Sequence, residues 1–376
     1  MKRRNLILSG LGLTGALVVG WGVMPPRSRL GKPDNMLLTE GDVALNGWIK
    51  IAKDGSVVLA MHRSDMGQGI HNALAMLVAE ELDMPLAKVR LEQAGHDAIY
   101  GNVAMFVGTL PFHPLQSEGV DKPFVVKSGE WIVGKVAREL GVNATGGSSS
   151  VKDAWEHLRT AAATAKASLL LAAADQWKVP LQELKVTEGV VNHVSGKSAH
   201  FGELAKGAAG QTPKNVALKD RKDWTLIGKP AARADVPAKT NGTAVFGIDV
   251  RLPNMLFASV VQAPQMGGTL SSFDAKEALA MPGVVKCVQL NSANGSAPGF
   301  AVVAKTTWHA KQAADKVKAQ WAQRAEGAID TKRIEAELKE KLKSEKGFAF
   351  YEKVKQASLL VQTGEGTAYG NAMFCK

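Results

Sequence analysis

Cysteine is almost missing from this sequence of 376 residues: only Cys287 and Cys375 occur. Two thiols cannot build a disulfide framework, a four-thiolate zinc site or an iron–sulfur cluster. Long runs of one charge sign are missing too, which argues against a basic tail for nucleic acid. Lys and Arg nevertheless exceed Asp and Glu to leave a net charge of +11, a balance that favours an anionic partner without naming it. None of the eight histidines recurs at an H-x-x-x-H ligand spacing, so a zinc site is not expected. The absence of G-x-S-x-G disfavours a nucleophile-elbow hydrolase. No internal repeat or low-complexity segment occurs. What is there, 45% hydrophobic and 22% charged residues, is globular composition, which excludes collagen, disorder and a polytopic membrane protein. The length suits two or three domains.

The N-terminus reads as an address. Lys2-Arg3-Arg4 precedes an apolar stretch from Asn5 to about Met24, the order of an export signal, and the paired arginines resemble the twin-arginine type. Trp21, Met24, Pro25 and Pro26 stand where a small-x-small cleavage site belongs, which leaves both a cleaved signal and a retained membrane anchor open. The same stretch holds a formal G-x-G-x-x-G, Gly10 to Gly15. A dinucleotide fingerprint needs an uninterrupted helix after its glycines, and Gly20, Gly22 and Pro25-Pro26 break one here. The signal reading is therefore preferred over a nucleotide site.

Along the rest of the chain, Trp48–Met61 alternates around Asp54-Gly55, a hairpin signature. A helix is expected from Ile70 to Leu82, a strand from Val89 to Glu92, and a loop without periodicity over Gly95–Lys122. An Ala-rich helix runs to about Trp177, followed by a short hairpin, a helix near Phe201–Gly207 and a polar linker to Lys222. Strands near Met255–Gln262, Val284–Leu290 and Gly299–Ala304, with helices near Ala275–Ala280 and Thr307–Val317, make a second α+β unit. Lysines and glutamates alternate over Thr331–Lys346, which reads as a solvated helix laced by pairs such as Glu335–Lys339. Cys287 lies in an apolar strand and reads as a small buried hydrophobe.

Two loops carry the chemistry. Gly67-Gln68-Gly69 sits where a strand turns into a helix: its glycines let backbone approach a ligand, Gln68 offers a donor and an acceptor, and the helix start favours an oxyanion. Gly146-Gly147-Ser148-Ser149-Ser150, running into Val151, places two glycines and three hydroxyls at another helix start. That exceeds the single hydroxyl an N-cap requires. A tight turn and a plain cap are the alternatives; read together, the loops look like two walls of one anionic-cofactor site. His62 and His71 read as structural, and Glu80 and Glu81 as surface charges.

Three stretches carry a family resemblance: HRSDMGQGIHNALAMLVAEELDMPLAKVRLEQAGHD (62–97), NATGGSSSVKDAWEHLR (143–159) and IGKPAARADVPAKTNGTAVFGIDVRLPNMLFASVVQAP (227–264). Met281–Val284 and AVVAKTTWHA (301–310) also fit. With these the sequence resembles the molybdopterin-binding large subunit of the xanthine dehydrogenase/aldehyde oxidase family, of the isoquinoline 1-oxidoreductase beta-subunit type. The resemblance implies an α+β protein divided into a signal or anchor over 1–30, a first segment of the molybdenum cofactor-binding domain over 31–222, an a/b hammerhead domain over 223–325, and the start of a further segment over 326–376. It implies oxidation of aldehydes or N-heterocycles with water as oxygen source at a molybdenum–molybdopterin centre, with or without a nucleotide tail. The two loops would hold the pterin and its phosphates.

The iron–sulfur clusters of such an enzyme would sit on a separate [2Fe-2S] small subunit, which passes electrons to a downstream acceptor. The partners are thus that subunit, the acceptor and a small-molecule substrate, with no nucleic acid, at a periplasmic location reached by folded export. The family's catalytic glutamate lies beyond the pattern matched here, and Asp65 stands where the family carries Glu. No catalytic residue and no protein metal ligand is therefore assigned, and the chain is expected to be an incomplete N-terminal half. The alternative is a non-catalytic binding or assembly module that keeps the hammerhead domain.

Overall fold

The computed structural model describes residues 27–119, 121–324, 327 and 329–344. The signal-like segment, Gly10–Gly15 and the tail from 345 lie outside the described residues. The chain is α+β and divides into two compact units, Met1–Thr243 and Ala244–Lys376.

In the first unit, β1 (Val43–Ala44), β2 (Ile49–Ile51) and β3 (Val57–Met61) form an antiparallel run, and β4 (Val89–Gln93) adds parallel to β3. The β2–β3 hairpin turns at Gly55, where φ is +82°, a conformation that favours glycine. Helix α1 (Ile70–Glu81) connects β3 to β4; its Ile70, Leu74, Leu77 and Val78 recur at helical spacing and are buried. The stretch read as a loop contains two short helices, α2 (Val103–Val107) and α3 (Pro114–Ser117). Next come α4 (Phe124–Leu140) and α5 (Ser150–Trp177). Helix α5 lays Leu158, Ala161, Ala162, Ala165 and Leu169 into the core beside α1; its small alanines allow close approach. A three-stranded antiparallel sheet, β5 (Leu184–Thr187), β6 (Val190–His193) and β7 (Ser198–His200), leads into α6 (Phe201–Ala208), and α7 (Val236–Thr240) lies near the unit's end.

The second unit has a three-stranded antiparallel sheet and a two-stranded ribbon. Their strands are β8 (Phe257–Gln262), β9 (Thr269–Asp274), β10 (Val284–Leu290), β11 (Gly299–Ala304) and β12 (Lys318–Ala322). Between them come α8 (Lys276–Leu279) and α9 (Thr307–Ala314), and α10 (Thr331–Ser344) follows. Phe300 stacks on Phe273 at 5.8 Å and on Trp321 at 6.3 Å. Cys287 packs against this core, and burial pushes its thiol pKa up. On α10 the exposed pairs Lys339–Glu335 and Arg333–Glu337 close at 2.7 Å. No helix among the described residues is long and apolar enough to cross a membrane.

One expectation is corrected by burial. Glu80 and Glu81 are not surface charges: they are 0% and 2% exposed. The Glu80 carboxylate accepts from the N–H groups of Thr225 (2.9 Å), Leu226 (2.6 Å) and Ile227 (3.0 Å) and from Lys219 Nζ (2.6 Å). Glu81 accepts from Arg159 Nε at 2.7 Å and from Lys219 N–H at 3.0 Å. A buried carboxylate persists only when paired and hydrogen-bonded, and these two are. They hold the segment Lys219–Ile227 on the first unit, where Trp224 also meets the Trp155 ring edge to face at 5.6 Å.

Candidate functional site

Each glycine loop is shaped by its own sequence and by one buried ion cluster. In the first loop Gly69 is the N-cap of α1 with φ +81°, the left-handed conformation. The Asp65 carboxylate folds under the loop and accepts from the N–H groups of Gly67 (2.9 Å), Gly69 (3.4 Å) and His71 (3.1 Å). Burial alone would raise the Asp65 pKa, but these amides bring it below the ordinary value. The oxyanion that this helix start is expected to favour is therefore the chain's own carboxylate, which fills the place. The Gln68 amide is also engaged locally, its oxygen accepting from Met66 N–H and its Nε2 donating to Ser64 O at 3.0 Å. Arg233, not singled out from the sequence, donates from Nη1 to Gly67 O at 2.8 Å and pairs with Asp235.

The second loop is more open. Ser149 is buried; its hydroxyl donates to Gly146 O at 2.6 Å and accepts from Asn102 Nδ2 at 2.8 Å. It therefore does not cap α5 with its side chain. The first turn of this 28-residue helix keeps its N–H groups and partial positive charge available at Ser150 and Val151. Gly147 has φ +59°, and a Cβ built on Gly146 or Gly147 would meet nothing within 4 Å.

The loops converge. Ser64 N–H donates to Thr145 Oγ1 at 2.9 Å. A cavity of about 400 Å³ is lined by Gln68 and Gly69 from one side and by Gly146, Gly147, Ser148, Ser150 and Val151 from the other. Gly67 and Ser149 do not line it.

Beneath the loops Asp153 binds two buried arginines. Its carboxylate accepts from Arg29 at 2.9 and 3.0 Å, from Arg63 at 2.8 Å and from Ala104 N–H at 3.1 Å. Burial pushes the Asp153 pKa up, and these partners hold it below the ordinary value. Arg63, which directly precedes the first loop, also donates to Asn143 Oδ1 at 2.9 Å just ahead of the second. Asp153 thus fixes the root of both loops. His71 contacts Arg63 O at 2.9 Å through its ring, a structural role as expected. His62 is buried edge-on to Trp48 at 4.8 Å, with neither ring nitrogen hydrogen-bonded; burial, then Arg63 and Arg29, push its pKa well down.

This geometry suits a phosphate-bearing ligand: the glycine cradle has room where side chains would project, hydroxyls rim it, and helix α5 begins at its wall. Comparison with known proteins agrees with the class. A molybdopterin cofactor-binding domain model matches residues 13–104. The chain is 30% identical over 315 residues to the beta subunit of isoquinoline 1-oxidoreductase of Brevundimonas diminuta, covering 74% of this chain and 35% of that protein. It is 28% identical over 321 residues to the B subunit of nicotinate dehydrogenase of Pseudomonas putida, covering 83% and 23%. To membrane-bound aldehyde dehydrogenase [pyrroloquinoline-quinone] of Gluconacetobacter polyoxogenes it is 27% identical over 330 residues, covering 85% and 37%. Among solved structures, aldehyde oxidoreductase from Desulfovibrio gigas matches at 23% identity over 35% of this chain and 20% of that one, with a TM-score of 0.23.

The chain is thus similar to subunits of molybdenum enzymes and carries a match to a molybdopterin cofactor-binding domain, in line with the sequence resemblance. It spans about a third or less of the length of these curated relatives.

Proposed function

We propose that this chain is part of a molybdenum hydroxylase large subunit and that the paired loops hold the phosphate end of molybdopterin. The observation that carries the proposal is the single cavity walled by Gly69 on one side and Gly146, Gly147, Ser148 and Ser150 on the other. Bound there, the cofactor supplies the redox chemistry that oxidises an aldehyde or N-heterocycle with oxygen from water. The chain's own residues bind and orient. Amides at the start of α5 donate to phosphate oxygens, the Ser148 and Ser150 hydroxyls add neutral donors, and the glycines admit the ligand close to backbone.

The Asp153–Arg63 pair and the Ser64–Thr145 bond fix the spacing of the walls before the ligand arrives, which lowers the ordering cost of binding. A nucleotide tail on the pterin, a separate [2Fe-2S] subunit that receives electrons, and folded export through the twin-arginine-like N-terminus belong to the same proposal. The two-cysteine count supports the separate subunit, and the Lys2-Arg3-Arg4 start supports the export route.

Molybdenum and oxidised-pterin fluorescence measured on the full chain, purified alone and after co-production with the small subunit, test the reading. Metal and pterin that co-purify, and that fall sharply in Gly147→Val, support it. Their absence under both conditions favours the non-catalytic assembly module.

A further inference from the structure

Helix α4 has two apolar faces, and only one of them is used by the first unit. Val126 and Ala137 face inward and are buried. Val125, Ile132, Val136 and Leu140, spaced at i, i+7, i+11 and i+15, share another face and stay 65%, 52%, 43% and 62% exposed. Glu139, at the edge of that stripe, is ion-paired with Arg27. A surface helix ordinarily keeps its outward side polar. Four aliphatic side chains in one outward stripe therefore mark a contact surface.

The chain enters the first unit at the C-terminal end of this helix. Arg27 Nε lies 3.8 Å from Glu139 Oε1, and Arg138 Nη2 donates to Ser28 O at 3.1 Å. Just ahead, residues 5–24 contain no charged side chain, and only Pro25 and Pro26 separate them from Arg27. The three residue steps from Met24 to Arg27 reach at most about 11 Å. Whatever holds Met24 therefore holds the Leu140 end of α4 beside it. A predominantly apolar stretch of about 20 residues is long enough to enter the hydrocarbon of a bilayer.

We propose that the Val125–Ile132–Val136–Leu140 face of α4 lies in the plane of a lipid bilayer surface, its side chains at the boundary between headgroups and acyl chains. The inference rests on residues 5–24 staying attached as an anchor, and adds that the folded unit itself meets the lipid. The 17 residues of α4 give a stripe about 25 Å long. The exposed Arg27 stands at headgroup level, where a long cation keeps its charge in water. The attachment point favours lipid over a second copy or another protein. With Met24 in the bilayer, the stripe is tethered at its surface at high effective concentration.

The test uses the full chain with Cys287→Ala and Cys375→Ala and one environment-sensitive fluorophore, attached at Ile132→Cys, Leu140→Cys or Val194→Cys. Val194, exposed in the β6–β7 turn, is the reference position. Each protein is reconstituted with phosphatidylcholine vesicles containing doxyl-labelled lipid. Flotation reads the anchor, and quenching reads the helix. The chain is expected to float, with quenching at 132 and 140 at least threefold greater than at 194. Val136→Asp should at least halve the quenching at 132 while flotation and circular dichroism stay unchanged. Flotation with equal quenching at all three positions overturns the seating of α4 and leaves the anchor standing. Emission at 132 already blue-shifted before lipid is added puts another protein surface on the stripe and overturns it as well. A chain that does not float removes the anchor, and the proposal with it.

Discussion

Ser64 and Thr145 lie 81 positions apart in the chain, yet the amide of the first donates to the hydroxyl of the second at 2.9 Å. This bond joins the two glycine loops at the edge of their shared cavity. Thr145→Val keeps the side-chain shape and removes the acceptor. The Ser64 amide is near solvent, so the loss of stability should be modest, about 1 kcal/mol by urea denaturation. Affinity for a phosphate-bearing ligand should fall more, because the spacing of the walls is no longer set.

Asp153 is a stronger support. Asp153→Asn leaves Arg29 and Arg63 buried without a carboxylate. Breaking a buried pair from one side costs about 3–5 kcal/mol. Thermal melting of the variant should show a fall in Tm on the order of 10 °C. A melting temperature equal to wild type would show that the cluster does not anchor the loops.

Glu80 should fasten the segment Lys219–Ile227. Glu80→Ala removes the acceptor for three consecutive amides and the partner of Lys219, and is expected to cost about 3–5 kcal/mol. Hydrogen exchange read by mass spectrometry should show peptides over residues 219–227 losing protection. Uniform loss over the first unit, with no excess in that segment, would contradict a local fastening.

Acid should weaken the first unit in two stages. Burial and Arg29 depress His157 from 6.5 to about 4, so the stability it contributes is present above pH 6.5 and is lost as pH falls toward 4. Burial works against ionised Glu80, but Lys219 and the three amides bring it from 4.5 to about 2, so its contribution is lost as pH falls from 4.5 toward 2. Urea midpoints measured between pH 7.5 and 3 should decline across the upper window and further below 4.5. His157→Gln should flatten the upper decline only.

Much of this could be read from the chain because the signals were local. Helix α1 shows its buried face at Ile70, Leu74, Leu77 and Val78, and the β2–β3 hairpin announces itself by Asp54-Gly55. The two loops were legible from glycines ahead of helix starts. Helix α4 was not: Gly129, Gly134 and its valines lower helix propensity, and the Phe112 ring that packs 3.1 Å from a Cβ position at Gly129 comes from the preceding segment.

The burial of Glu80 and Glu81 was equally hidden, since adjacent acids on a helix look solvated until Lys219 and Arg159 arrive from distant sequence. The same holds for Asp65. Its spacing to Gly67, Gly69 and His71 allows a carboxylate to close the α1 start, but nothing in the sequence dictates it.

The loops at Gly67–Gly69 and Gly146–Val151 are proposed to wall one anion site. Titration of the full chain with pyrophosphate, followed by calorimetry, tests it most directly. A single binding event is expected, weakened at least tenfold by Gly147→Val and by Thr145→Val. Pyrophosphate that fails to bind, or that binds the folded Gly147→Val protein as tightly as wild type, would contradict it.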